Sequence, residues 1–336
     1  MAGPLKIGIL STARIAEPYI HEVKGSKSVE VTAVASRDKA RAEAFARKFD
    51  LGLAHDRYED LLADPDIDII YNPLPNSLHV EWSERALEAG KHVLCEKPFS
   101  DDPATTKRAF ALADKLGLLL LEAFPYRFQP FMDDIKAIAA MDDFGPLRQI
   151  SAAFGFTIPD EANIRFKPEL AGGAIMDAGC YCVSFARAMA GVAPKRVKAA
   201  AKMHPSGVDV ATMALLEFPD GLQAQITCSF ESGFHRSATL IGAQGVLDFA
   251  FPNSPFPGER PTYRIRRAGT RSYEFDTMDL RAGPGFRLES DALADMIAGN
   301  RSDYALFAQE SLDNAATLAA IKHSAEAGGW VDVAKA

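Results

Sequence analysis

Two side chains in this sequence have types suited to moving a proton on and off an alcohol. They are Lys97, in CEKP at residues 95–98, and Tyr181, at the end of ELAGGAIMDAGCY at residues 169–181. A free phenol has a pKa of about 10, too high for an efficient base near neutrality, and a nearby ammonium lowers it by favouring the phenolate. An ammonium also donates a hydrogen bond to a developing alkoxide. Lys97 follows an apolar strand, at the carboxyl edge where open α/β sheets bind ligands, so a bare surface charge is a poor account of it. Asp177 lies one helical turn before Tyr181 and shares its face; it either orients Lys97 or a substrate hydroxyl, or makes a helix-face salt bridge. Cys180 and Cys182 flank Tyr181 but point away from each other on a helix, as small core residues do. The 4 cysteines show no CxxC pair and the 7 histidines no ligand spacing, so no metal is expected.

A second constellation sits at the N-terminus. KIGILSTARIAEPYI, residues 6–20, reads as strand, tight turn and helix start, the order that presents free N–H groups to a pyrophosphate. Aligned on GxGxxG, its three positions are Ser11, Ala13 and Ala16, so the turn lacks its glycines and an ordinary strand-to-helix turn is the competing reading. The next strand ends in VASRD, with Ser36 and Arg37 where a site for NAD needs an acid on the ribose 2'-OH. Arg37 suits a 2'-phosphate instead, which selects NADP with NAD still possible; otherwise it is a solvated arginine before a helix capped by Asp38.

These residues need an alternating scaffold, and the sequence supplies one. Up to about residue 125, apolar strands at 5–10, 29–36, 67–72, 92–95 and 118–122 alternate with amphipathic helices, as in a parallel sheet covered on both faces. After about residue 145, strands at 147–157, 197–203, 208–218, 222–231, 237–241, 245–251 and 263–267 follow one another with turns at FPDG and GAQG. Helices are expected at 173–190, 286–298 and 306–327, and the proline-rich FPNSPFPGERP, 251–261, reads as a flexible insert. The fold class is therefore α/β: an N-terminal Rossmann dinucleotide-binding domain, 1–125, and a C-terminal α+β domain, 126–336, with a large open, mainly antiparallel sheet.

The sequence resembles the Gfo/Idh/MocA oxidoreductase family over essentially its whole length. The resemblance rests on residues 5–16, PLPNSLH at 73–79, AGKHVLCEKPFS at 89–100, EAFPYRFQP at 122–130 and ELAGGAIMDAGCY. Tyr181 where many members carry His, together with the Ser36–Arg37 pair, is similar to the branch of glucose-fructose oxidoreductase, D-xylose dehydrogenases and dimeric dihydrodiol dehydrogenases. The resemblance implies a nicotinamide-binding Rossmann domain, an open sheet domain often used for dimerisation, and a substrate cleft between them. It makes Lys97 and Tyr181 the catalytic pair. It puts Ser11, Thr12, Ala13, Arg14 and Ile15 at the pyrophosphate and Ser36 and Arg37 at the adenosine ribose. Leu74, Asn76 and His79 fall along the nicotinamide side, Glu96 beside Lys97, and Arg127 within reach of the cofactor. His79 also reads as a helix-terminal residue with a local hydrogen bond. Ser11 and Ala13 replace family glycines, and Gln129 stands where relatives often have His.

Hydride removal from a carbinol carbon requires its hydroxyl proton to leave, and a phenol beside an ammonium takes it. The expected function is an NADP-dependent oxidoreductase acting on a sugar, cyclic polyol or diol. A trans-dihydrodiol dehydrogenase or carbonyl reductase is the alternative among enzymes, and a non-catalytic NADP-binding sensor the alternative outside them. With 45 acidic against 37 basic residues, a phosphate-tracking nucleic-acid binder is disfavoured. No apolar run approaches the roughly 20 residues of a membrane helix, so the expectation is a cytoplasmic protein, with a homodimer formed through the C-terminal sheet.

Overall fold

The computed structural model describes residues 3–255, 259–267 and 274–335, which form two compact units. The first comprises Met1–Ser100, Ala104–Phe128 and Pro284–Ser311; the second comprises Asp101–Pro103, Gln129–Gly283 and Leu312–Ala336.

In the first unit the chain runs β1 (Leu5–Leu10), α1 (Ala16–Val23), β2 (Val29–Ala35), α2 (Lys39–Phe49), β3 (Leu53–His55) and α3 (Tyr58–Ala63). It continues through β4 (Ile69–Asn72), α4 (His79–Glu88), β5 (His92–Glu96), α5 (Pro103–Leu116) and β6 (Leu120–Ala123). The strands form one parallel sheet in the order β3-β2-β1-β4-β5-β6. Side-chain alternation divides its core between two faces. Ile7, Ile9, Tyr71 and Leu121 pack with Tyr19, Ile20 and Phe45 on one. Leu10, Ile70, Val93 and Leu120 pack with Leu61, Trp82 and Phe110 on the other. Asp38 caps α2 by accepting from the Arg41 amide at 3.1 Å, and α5 starts at Pro103 and ends before Gly117, whose φ is +69°.

The second unit contains α6 (Pro130–Ala139), β7 (Leu147–Thr157), a π-helical turn at Ile175–Gly179, α7 (Cys180–Ala190), β8 (Arg196–Met203), β9 (Asp209–Glu217) and β10 (Gln223–Ser229). It goes on with β11 (Glu231–Gly242), β12 (Val246–Ala250), β13 (Thr262–Arg266) and β14 (Asp276–Asp279), and ends with β15 (Val331–Asp332). Its nine described strands are ordered β14-β13-β12-β11-β7-β10-β9-β8-β15. Only the β7–β10 pairing among these is parallel. Along β9, Val210, Thr212, Ala214 and Leu216 are buried whereas Met213 and Leu215 are exposed.

Two helices remain, α8 (Gly285–Ile297) and α9 (Tyr304–Ala327). The sequence places α8 in the second domain, but it belongs to the first unit. Its Phe286, Leu293, Ala294 and Met296 join the core cluster of Tyr19, Ile20 and Val23, so α8 covers α1 as a layer that the strand–helix rhythm of 1–125 does not announce. Residues 304–311 of α9 belong to the first unit and 312–327 to the second. Part of the expected flexible insert, residues 256–258, lies outside the described residues.

Candidate active site

In the first unit the strand order reverses between β1 and β4, the switch point at which open α/β sheets take ligands beyond their carboxyl ends. The residues expected to hold a dinucleotide fall on that edge. Ser11–Ile15 follow β1, Ser36 and Arg37 follow β2, Leu74 and Asn76 follow β4, and Glu96 and Lys97 close β5. Ser11 adopts φ +76°, the left-handed conformation that glycine takes freely and serine takes under strain. Its hydroxyl answers part of that cost by accepting from the Ala13 amide at 3.2 Å. The first turn of α1 has no side-chain cap, which leaves it suited to an anion. Ser36 is buried and accepts from the Asp38 amide at 3.2 Å, while Arg37 is exposed. Together, a helix start without a side-chain cap and the exposed Arg37 at the end of β2 fit a dinucleotide with a 2'-phosphate.

Lys97 is half-buried at the end of a chain of braced groups. The Glu96 carboxylate accepts from the Lys97 amide at 3.3 Å and from the Tyr71 hydroxyl at 2.7 Å. Tyr71 stacks on Tyr19 at 3.9 Å between ring centroids, and the Tyr19 and Ser290 hydroxyls are 2.9 Å apart. Burial, reinforced by Glu96, holds the Tyr71 phenol far above its ordinary pKa, so it stays a donor. Glu289 is fully buried nearby, and burial followed by repulsion from Glu96 pushes its carboxyl well above the usual carboxylate range.

Two expected cofactor residues are engaged by the protein itself. The His79 ring lies inside the unit, with Nδ1 2.8 Å from the Pro98 carbonyl and Nε2 2.7 Å from the Leu74 carbonyl. Burial pushes its pKa down to about 4 against those two bonds. The ring is thus neutral at pH 7, carries one N–H and donates to only one of the two carbonyls. The Arg127 guanidinium is buried against Glu310, with Nε–Oε2 at 3.0 Å and Nη2–Oε1 at 2.6 Å.

In the second unit, Tyr181 opens α7 directly after the π-helical turn that carries Asp177. The expected regular helix is therefore widened by a π turn, a feature that often re-aims side chains at functional sites. Gly173 allows the approach: its φ is +113°, and a Cβ there would collide with the Asp209 carboxylate, which accepts from the Ile175 amide at 2.9 Å. The Asp177 carboxylate pairs with Arg165, Nε–Oδ2 2.5 Å, so its partner comes from the preceding loop instead of its own helix face. The Tyr181 ring is buried, with Phe154 edge-on at 5.6 Å. Its hydroxyl receives a hydrogen bond from Asn253 Nδ2 at 2.8 Å, and the Arg236 guanidinium lies 4.1 Å from its ring centroid. The buried Gln129 carboxamide steadies this loop by donating to the Asn253 and Gly283 carbonyls at 2.5 and 2.7 Å.

Arg236 and Asn253 were not among the residues singled out from the sequence. Neither belongs to a motif; Asn253 lies in the proline-rich stretch read as a flexible insert, and Arg236 in a gap between two expected strands. Among the described residues no cluster of His, Cys, Asp or Glu is arranged to hold a metal, and no helix is long and apolar enough to cross a membrane.

Residues 5–124 match the oxidoreductase family with NAD-binding Rossmann fold, GFO/IDH/MocA, and residues 132–248 match the GFO/IDH/MocA C-terminal domain. The chain is 34% identical to D-xylose 1-dehydrogenase (NADP(+)) 2 of Haloferax volcanii, across 98% of this chain and 100% of that protein. It is 34% identical to trans-1,2-dihydrobenzene-1,2-diol dehydrogenase of Mus musculus, across 72% and 73% of the two chains. The crystal structure of KijD10, a 3-ketoreductase from Actinomadura kijaniata in complex with NADP and TDP-benzene, superposes with a TM-score of 0.88. It is 29% identical, with 96% of this chain and 98% of that one covered.

Proposed function

The chain belongs to the GFO/IDH/MocA oxidoreductase family, and from that premise we propose an NADP-dependent dehydrogenase or reductase acting on the carbinol carbon of a sugar, cyclic polyol or diol, with Lys97 and Tyr181 as its acid/base pair. The observation that carries the reading is the carboxyl edge of the first unit's sheet, where Lys97 follows β5, the neighbour of the switch-point strand β4. The NADP preference in the name of the Haloferax volcanii relative supports the role given to Arg37. When bound, NADP supplies the hydride acceptor in oxidation and the donor in reduction. Tyr181 takes the substrate hydroxyl proton in the oxidising direction and returns it in the other. Lys97 donates to the substrate oxygen and favours the phenolate. Arg37 pairs with the 2'-phosphate, and the loop from Ser11 to Ile15 receives the pyrophosphate. An aldose would leave as a lactone.

One observation favours the narrower alternative of an aromatic diol substrate. Rings continue away from Tyr181 through Phe154, Phe156, Phe230 and Phe166, each 5.5–5.9 Å from the next between centroids. Absorbance at the reduced-nicotinamide band, followed with aldoses, nucleotide-linked keto sugars and aromatic dihydrodiols, tests both readings. Turnover of an aldose with NADP, reduced about 100-fold or more in Tyr181→Phe, is expected. Cofactor binding with no turnover across the whole panel would favour a sensor. The exposed face of the nine-stranded sheet is the surface proposed for a homodimer.

A further inference from the structure

We propose that Arg236 and Asn253 are positioning residues for Tyr181: the guanidinium against its ring and the carboxamide on its hydroxyl favour the phenolate and aim its proton away from the loop. The inference rests on the reading of Tyr181 as the acid/base.

The carboxamide orientation follows from the network. Arg236 Nη2 donates to Asn253 Oδ1 at 3.0 Å, and a guanidinium has no acceptor, so the oxygen of the carboxamide must face it. Nδ2 is then the atom on the Tyr181 hydroxyl, and it can only donate. The phenol oxygen accepts that bond, so its own proton points away from the carboxamide. A donor on this oxygen stabilises the ionised form over the neutral one.

The ring side adds a charge. Arg236 Cζ is 4.1 Å from the Tyr181 centroid, 5.0 Å from that of Phe154 and 4.8 Å from that of Phe251. Three rings screen the cation from water, where its attraction to a π face is stronger than at an exposed site. The charged groups near Tyr181 in the second unit include Arg236 from β11, Arg165 from the preceding loop and Asp177 from the π-helical turn. Arg165 and Asp177 pair with each other, and Arg236 is the cation set against the face of the ring. Its field also reaches the neighbouring Cys182, whose thiol burial pushes up to about 12 with Arg236 opposing.

The test is a titration of tyrosinate absorbance without cofactor, each protein measured against its own Tyr181→Phe counterpart. Arg236→Met should raise the midpoint of the difference signal by about one pH unit and move the ascending limb of the kcat/KM profile for oxidation the same way. Arg236→Lys should restore most of the shift, and Asn253→Asp, which sets a carboxylate against the hydroxyl, should raise the midpoint as well. Midpoints within about 0.3 unit of wild type in both folded Arg236→Met and Asn253→Asp would overturn the proposal. If circular dichroism shows Arg236→Met unfolded, Asn253→Asp and Asn253→Ala decide it by the same criterion. Full turnover in Tyr181→Phe would instead sink the acid/base reading, while the titration would still report whether the phenol feels these two neighbours.

Discussion

Ser11 concentrates a trade-off at one residue. Its left-handed φ costs about 1–2 kcal/mol relative to glycine. Against this stand about 1 kcal/mol from its hydroxyl bond to Ala13 and roughly 0.5–1 kcal/mol of extra chain entropy that a glycine would lose on folding. The terms nearly cancel, so Ser11→Gly should leave Tm within a few degrees of wild type. It should also release the Ala13 amide for phosphate and tighten NADP binding several-fold by isothermal titration calorimetry; weaker binding would show that the serine is a ligand. Arg37→Ala should reduce the NADP-over-NAD ratio of specificity constants by about tenfold to a hundredfold, the worth of charge-assisted hydrogen bonds to a phosphate. An unchanged ratio would contradict its role. Lys97→Met should fold, because Lys97 lies beyond the end of β5 and outside the core clusters, yet lose about a hundredfold or more in hydride transfer measured by single turnover.

At the scale of elements, His79 shows how a motif residue can act through the backbone. Its ring sits between the Pro98 and Leu74 carbonyls at the start of α4, and its folded pKa of about 4 lies below the ordinary 6.5. The unfolded chain therefore binds more protons between those values. The neutral ring's contribution is present above pH 6.5 and lost as pH falls toward 4, on the order of 3 kcal/mol at most. Wild type should lose denaturant stability across that window, and His79→Gln should flatten the loss; equal slopes would remove His79 as its source. The sequence pattern disclosed most of the scaffold because β1, β2, β4, β5 and β6 are mostly buried apolar runs with amphipathic helices between them. It missed β3 and α3, which are short, α6, despite its apolar face at Phe131, Met132, Ile135 and Ile138, and β14 and β15, which contribute only four and two residues. The parallel pairing of β7 with β10 was also hidden, since alternation along one strand does not encode the direction of its neighbour. Motifs marked Lys97 and Tyr181 but not the groups around the phenol: Asn253 reaches it from 72 positions away, a contact made by tertiary packing alone.

For the whole molecule, the second unit's sheet has one side that its own helices do not cover. One side of β8–β10 is closed by α7 and α9, as seen in the contact of Cys182 with the Thr227 carbonyl and of the Ala199 amide with Ser324. The other exposes Met213 at 64% and Leu215 at 49% beside Gln149, Gln223 and Gln225. This face thus sets exposed apolar side chains among glutamines, with Lys198 directly beside Leu215, and such large exposed apolar side chains suit a subunit interface better than permanent solvent. A two-fold axis through such a face uses every residue twice. Burying the remaining half of one Met and one Leu per subunit gives about 1 kcal/mol each, hence about 4 kcal/mol from four side chains, or roughly a thousandfold in dissociation constant. Met213→Glu with Leu215→Arg would reverse that gain and strand charges in the contact. Light scattering coupled to size exclusion should give twice the 36.4 kDa chain mass for wild type and the single mass for the double variant. A wild-type chain that elutes as a monomer at micromolar concentration would mean that this face meets another partner or none. Because neither residue belongs to the edge that carries Lys97 or to the network around Tyr181, turnover at saturating substrate should survive the split.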